Sequence, residues 1–410
     1  MNVAGFIAKR IAFNQQQSFS RFIIRLATVA TVLSVAVMIV AMAITNGFQY
    51  TISQKIFSFW GHVRVQHYMA GKSGIGEEMA IEKNDTVLRI IKSNPAVVAV
   101  DAYATKSAIL KTSETMQGVL FKGIEKNYQF NQLQRFMVQG RWLRFPDSGY
   151  SNEIVLSLST AAQLKLKVND PVLIYFIQND GSAPRARKLT VAGIYKTGIE
   201  EYDKVVTIGD IRLIQRLNNW NNDQIGGYQV LLDDYKKMDV VNDDIFYKLP
   251  ASWSSKTTKE VYPNIFDWLN LQDTTIVLVL VIMTIVAALN LITCLIILVL
   301  ERTRMIGILK ALGAPNSTIR RVFLYHGSII TVIGIVAGNL LALLLCWLQQ
   351  RYGLITLPED MYYISKAEVR LEWWHFALVD VGTFIICFLV LLIPTIIIHR
   401  VQPVKAIQFR

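Results

Sequence analysis

Residues Glu301 to Phe323 read ERTRMIGILKALGAPNSTIRRVF. The stretch is basic and broken by Gly313 and Pro315, yet a long, nearly charge-free apolar run flanks it on each side. A chain that leaves an apolar phase, makes one compact charged bend and returns is a membrane protein turning in a short loop. Four runs reach the length of about twenty apolar residues that spans a hydrocarbon core of about 30 Å. They are Phe22–Ile44, Thr274–Leu300, Val322–Leu348 and His375–Ile398.

Working outward from the bend (301–321), the 410 residues divide as follows. Spans are expected at 22–45, 273–300, 322–349 and 373–399, with a short loop at 350–372 and a tail at 400–410. Residues 46–272 are too long and too mixed for a linker and form a folded domain inserted between the first two spans. The opening residues 1–21 read as an amphipathic helix on the membrane surface, or as an extension of the first span. The first run is too long for a signal peptide and is expected to stay as an anchor. The fold class is thus a multi-pass α-helical membrane protein with a large α+β extracytoplasmic domain.

Charge sets the orientation. Lys9, Arg10, Arg21 and Arg25 lie ahead of the first span or at its start with no acid among them, and the tail carries Arg400, Lys405 and Arg410. The bend carries Arg302, Arg304, Lys310, Arg320 and Arg321 against Glu301, whereas the 350–372 loop mixes both signs. The positive-inside rule puts the bend and both termini in the cytoplasm and the large domain outside it. The net charge of +12 is therefore spent at membrane edges and does not point to nucleic acid. Cys294, Cys346 and Cys387 all fall within spans, where they are expected as small apolar packers, so the inserted domain folds without disulfides.

The domain alternates strand and helix patterns. HVRVQHY, from His62, alternates like a strand; NDTVLRIIKSNP is a short helix capped by Asn84; GDIRLIQRLNN is a helix capped by Asp210. An interruption between about Asp101 and Gly140 suggests two subdomains. Within the spans, Asn290 and Asn339 are expected to hydrogen-bond between helices, with Asp380 and His326 near the ends. There is no midplane carboxylate of the kind an ion-driven carrier needs, so any work is driven from outside the membrane. GKSG at Gly71 fails as a phosphate loop because Gln66 stands where a glycine is required. No metal-ligand cluster or nucleophile motif is present, which argues against an enzyme and against any cofactor bound by this chain.

In the bend, helix formers run from Glu301 to Leu312, and Gly313-Ala314-Pro315-Asn316 stops them. Asn316 or Ser317 is expected to cap a short helix over Thr318–Phe323, with Arg320 and Arg321 exposed. A short rigid element hung from two spans is a handle. Topology alone needs only a few basic residues.

From Glu301 through the third span, the chain resembles ABC-transporter permeases of the kind that includes FtsX, the MacB exporter and the lipoprotein-releasing Lol permeases. ITNGFQYTISQKIFSFWGHVRV, from Ile44, and the Gly198, Glu201, Asp203 turn are similar to the Lol branch. The resemblance implies a permease subunit in the bacterial inner membrane with a periplasmic domain. A partner ATPase dimer would bind ATP and Mg, and a second permease, this chain or a sister, would complete the complex. The cargo would be a lipoprotein passed to a periplasmic carrier. Three acyl chains of about fifteen CH₂ groups hold such a cargo by on the order of 35 kcal/mol, so it does not leave unaided.

The resemblance assigns ATPase coupling to Glu301, Arg302, Arg304, Gly313, Ala314, Pro315, Asn316, Ser317, Ile319, Arg320 and Arg321. A lipoprotein path would use Val37, Val40, Ile44, Phe48, Val277 and Val281. A carrier would dock at Gly181, Ser182, Ala183, Pro184 and Arg185, in the loop 178–187. The alternatives are a MacB-like exporter subunit and an FtsX-like regulator of cell-wall hydrolases that transports nothing. The domain's size speaks against the regulator.

Overall fold

The computed structural model describes residues 19–68, 77–128, 133–178 and 181–395. The opening surface helix, the GKSG stretch and the tail therefore lie wholly or largely outside the described residues. The helices are α1 (Phe19–Trp60), α2 (Asp85–Lys92), α3 (Leu158–Gln163), α4 (Glu200–Asp203), α5 (Ile211–Asn218), α6 (Met238–Lys248), α7 (Thr258–Val261), α8 (Pro263–Glu301), α9 (Thr303–Ala311), α10 (Asn316–Tyr352), α11 (Glu359–Tyr362) and α12 (Trp373–Thr395). Among the described residues, α1, α8, α10 and α12 are long and apolar enough to cross a membrane. The chain is a multi-pass membrane protein with an α+β domain inserted between its first two spans, and it divides into two compact units.

The first unit holds residues 19–49, 269–356 and 366–395. Lipid offers helices no hydrophobic reason to associate, so close packing and polar contacts must do it. Helix α10 supplies the close packing with Gly334 and Gly338, one turn apart. A Cβ on Gly334 would lie 2.7 Å from Thr31 Cγ2, and one on Gly338 would lie 2.8 Å from Val35 Cβ, so α1 and α10 meet nearly backbone to backbone. Polar contacts between helices include Asn290 Nδ2 donating to the Ala27 carbonyl at 3.0 Å, between α8 and α1, and Asn339 Nδ2 donating to Asp380 Oδ2 at 2.8 Å, between α10 and α12. The interhelical role expected of both asparagines holds. His326 is buried, and Asp380, half-buried, sits in the α10–α12 contact. The cysteines lie in apolar clusters, Cys294 and Cys387 with Leu295, Leu298 and Leu391, and Cys346 with Ala43.

The second unit holds the described residues of 50–268 and 357–365. Its strands are β1 (Val63–His67), β2 (Ile81–Glu82), β3 (Val97–Lys111), β4 (Met116–Ile124), β5 (Met137–Gly140), β6 (Glu153–Ser157), β7 (Pro171–Phe176), β8 (Arg185–Tyr195), β9 (Val206–Asp210), β10 (Gln224–Ile225), β11 (Gly227–Leu232) and β12 (Trp253–Thr257). One sheet runs β12-β1-β11-β3-β4-β9-β6-β8-β5, with β7 bridging β3 and β8. The two expected halves thus share one hydrogen-bonded sheet, joined through the long β3–β4 pair from Tyr103↔Ile124 to Lys111↔Met116. The expected caps form: Asn84 accepts from the N–H groups of Thr86 and Val87, and Asp210 accepts from that of Arg212.

Helix α1 does not stop where the apolar run ends. It continues to Trp60, with Phe48, Ile52, Ile56 and Phe59 buried at helical spacing. Its last turn meets buried cations of the sheet. Lys122 Nζ donates to the Phe59 carbonyl and to Gln229 Oε1, the latter at 2.7 Å. It also lies 4.7 Å from the Trp60 ring centre and 5.7 Å from that of Tyr128. A cation at a helix C-terminus and over aromatic faces is favoured twice. Burial still pushes the Lys122 ammonium down to about 7. Arg64 stacks beside it, 4.3 Å from the Trp60 ring centre.

His62 sits next to this cluster. It stacks on Phe57 with ring centres 4.0 Å apart, and its Nδ1 accepts the Leu232 N–H at 3.1 Å. Burial pushes its pKa down to about 4. The folded ring therefore stays neutral while the unfolded one takes a proton below about 6.5. That difference favours the fold above about 6.5, and the advantage is lost as pH falls toward 4. The thermal midpoint of the purified chain in detergent is expected to drop across this window, and to drop less steeply in His62→Asn; identical pH profiles would contradict the assignment.

Candidate functional site

The bend is built from the end of α8, all of α9 and the start of α10. At Arg302 the backbone leaves helical geometry, with φ −95° and ψ 17°, but Arg302 N–H still donates to Leu298 O and Ile306 N–H to Arg302 O. The join is a kink in a continuing ladder. Helix α9 then ends in a Schellman motif. Gly313 N–H donates to Lys310 O and Ala314 N–H to Leu309 O, both at 3.0 Å, and Gly313 takes φ +83°. Pro315 follows with φ −65° and ψ 149° and opens α10.

The short helix is thus α9, before the turn. The expected separate helix over Thr318–Phe323 is the first part of α10, which runs unbroken to Tyr352. Neither Asn316 nor Ser317 caps it; Pro315 holds the cap position with no side-chain bond. The reason is local: proline's fixed φ already suits a helix entry, so the polar residues fall inside.

Glu301, Arg304, Gly313, Pro315, Ser317 and Arg321 are exposed, while Arg302, Ala314, Asn316 and Arg320 are half-buried. Ile319 is fully buried with Ile306, Phe323 and Leu298, so it anchors the bend from behind and is not on its outer face. Two surface residues were missed. Ile308 and Leu312 are 48% and 79% exposed, and with Arg304 they form one stripe at i, i+4 and i+8. The bend therefore presents two apolar side chains between arginines. That stripe is visible in RMIGILKAL once α9 is recognised as a complete helix.

The expected apolar path separates into two groups. Val37, Val277 and Val281 are exposed, within wide stripes that also hold Leu26 and Leu33 on α1 and Ile285 and Leu289 on α8. Val40 and Ile44 are half-buried against Cys346 and Leu371, and Phe48 is buried, so Phe48 packs the unit and does not line its surface. In the β7–β8 hairpin, Gly181, Ser182, Ala183 and Pro184 are exposed. Arg185 is committed elsewhere, its Nη1 donating to the Leu217 carbonyl at 2.8 Å.

The Gly198, Glu201, Asp203 turn has a defined task. Asp203 accepts from Thr197 Oγ1 at 2.8 Å and from the Gly198 N–H at 3.0 Å, and burial raises its pKa. The closed turn receives the segment 357–365 of the same unit. Tyr363 OH donates to Glu201 Oε1 at 2.9 Å, Lys55 Nζ donates to the Tyr363 carbonyl at 2.6 Å, and Lys196 pairs with Glu359 at 2.5 Å.

Two family models match this arrangement. The FtsX-like permease C-terminal model covers residues 277–403, which include the whole bend, and the MacB-like periplasmic core domain model covers 26–245. The chain belongs to the MacB/FtsX permease superfamily. Within that superfamily it is similar over nearly its whole length to the LolC and LolE permeases. It is 24% identical to the lipoprotein-releasing system transmembrane protein LolC of Xylella fastidiosa strain 9a5c, over 96% of each chain. It is also 24% identical to the LolE protein of Haemophilus influenzae strain KW20 Rd, over the full length of both. The periplasmic region of MacB from Actinobacillus actinomycetemcomitans aligns with 50% of this chain and 91% of its own, at 13% identity and a TM-score of 0.34.

The permease bend depends on the left-handed residue that ends α9. Gly313→Val forces a branched side chain to a positive φ, at a cost of about 1–2 kcal/mol. Faster amide exchange over 303–315 is expected in Gly313→Val, with near-normal exchange in Gly313→Asn; equal protection in both variants would refute the requirement.

Proposed function

We propose that this chain is the permease subunit of an ABC transporter that extracts lipoproteins from the outer leaflet of the inner membrane and passes them to a periplasmic carrier. The observation that carries the proposal is the end-to-end correspondence with LolC and LolE, which takes in the spans, the inserted domain and the bend together. Nucleotide hydrolysis belongs to a partner ATPase that binds ATP and Mg, and this chain supplies the surface it pushes. That surface is the α9 stripe of Arg304, Ile308 and Leu312, with Arg320 and Arg321 beside it. Apolar side chains between cations suit a groove with an acidic rim.

A second permease, this chain or a sister, faces the first. The exposed apolar stripes of α1 and α8, with Val37, Val277 and Val281, give acyl chains a sheltered route. The basic bend lies in the cytoplasm by the positive-inside rule, which puts the inserted domain in the periplasm. The exposed residues Gly181–Pro184 are the place for carrier contact, without Arg185.

Depletion of the chain is expected to strand outer-membrane lipoproteins in the inner membrane, seen by membrane fractionation. Normal sorting would favour an exporter or a regulator of hydrolases. In the same cells, Leu312→Asp is expected to fail to restore sorting while the purified variant keeps its thermal midpoint. Full rescue by Leu312→Asp would remove the stripe from the coupling surface.

A further inference from the structure

The chain that leaves α10 turns back on it and holds apolar side chains outward. Gly353 takes φ +61° and its N–H donates to Gln349 O at 2.8 Å, so the helix stops there. Gln349, buried in the last turn, then grips the returning chain with its amide. Its Oε1 accepts the Ile355 N–H at 2.8 Å, and its Nε2 donates to the carbonyls of Ile355 at 3.2 Å and Ala367 at 3.0 Å. Gln350 Nε2 donates to the Val369 carbonyl at 3.0 Å. Helical side chains lean toward the N-terminus, so Ile355 lies beside α10 about one turn short of its end.

A backbone fixed in this way could have turned its apolar side chains inward. Instead Leu354 is 68% exposed, and Tyr352 and Ile355 are exposed as well. Single apolar residues on a surface are ordinary, but a contiguous set marks a contact. This set continues a surface whose neighbour is lipid. Val332, Val336, Leu340, Leu344 and Trp347 form an exposed stripe along α10 at helical spacing, the face a spanning helix turns outward. Tyr352 extends it, its ring meeting that of Trp347 edge to face with centres 6.4 Å apart. Trp373, 82% exposed, and Trp374 open α12, and Trp374 Nε1 donates to Glu372 Oε2. Tryptophan and tyrosine collect where hydrocarbon meets water, because each is largely apolar and still needs a hydrogen bond. The exposed Arg351 beside the tip fits the same layer.

We propose that residues 352–356 form a short wedge in the lipid headgroup layer, with Tyr352, Leu354 and Ile355 inserted and Trp347, Trp373 and Trp374 at the same depth. The partner of this surface is phospholipid. That the leaflet is the outer one rests on the orientation proposed above; the depth of the wedge does not.

The test places a bimane fluorophore at Leu354→Cys in the full chain, in nanodiscs of phosphatidylcholine carrying a nitroxide at the headgroup, near the top of the acyl chain or near its end. Cys294, Cys346 and Cys387 are buried, and unsubstituted chain put through the same labelling gives the blank. The label is expected to lose about half or more of its emission to the headgroup or upper-chain nitroxide and clearly less to the chain-end one, since interfacial side chains reach about 5–10 Å into the headgroup and acyl boundary. Ile355→Cys carries the same expectation should Leu354→Cys fail to fold. A label at Ser182→Cys, exposed on the β7–β8 hairpin, is expected to keep its emission. The wedge is overturned if the Leu354→Cys label is quenched no more than the Ser182→Cys label, or if the chain-end nitroxide quenches it most. Emission that ignores the lipid nitroxides but shifts to the blue when two chains share a disc also overturns it, and assigns the tip to a second copy of this chain. Each of these results leaves the lipoprotein reading where it stands, since neither nucleotide nor cargo is present.

Discussion

The membrane unit rests on the absence of side chains at Gly334 and Gly338. In lipid, apolar helices gain nothing by hiding from solvent, so α1 and α10 hold together only where their backbones can approach. Thr31 and Val35 fill the two vacancies. That contact fixes α1 in line with the bundle, and apolar clusters and polar bonds such as Asn290 to Ala27 and Asn339 to Asp380 add to it. Each of these bonds is placed where helices already touch.

The same logic explains the bend. A loop between two spans must close four free carbonyls at one helix end and four free N–H groups at the next. The Schellman turn at Gly313 occupies the carbonyls of Lys310 and Leu309, and the Pro315 carbonyl accepts the Thr318 N–H that starts the next helix. Ile306, Ile319 and Phe323 hold the turn from below, in the cluster with Leu298. A bend so tightly tied is stiff, as the proposed coupling role requires.

Much of this was legible in the residues. Apolar length announces the four spans, and Asn84 and Asp210 mark helix starts because their side chains reach unpaired N–H groups. What could not be seen was long-range. The extension of α1 to Trp60 depends on burial of Phe48, Ile52 and Ile56, which an apolar-run criterion does not register. Phe48 and Ile319 look like surface residues in a one-dimensional pattern, and tertiary packing puts them inside. The join between the two halves of the domain is made by β3 and β4, whose partners lie far apart in sequence. The docking of 357–365 on the Glu201 turn brings together residues separated by more than a whole span, and no local signal encodes it.

The buried lysine carries one more implication. Lys122 belongs to the sheet, yet its acceptor carbonyl comes from Phe59 and one wall of its aromatic cage from Trp60. A version of the domain cut free just after Trp60 would keep every strand and lose the group that makes its interior cation tolerable. Maturation of the domain is therefore tied to the helix that precedes it on the ribosome, and a secreted fragment that includes those final helical residues inherits a complete interior.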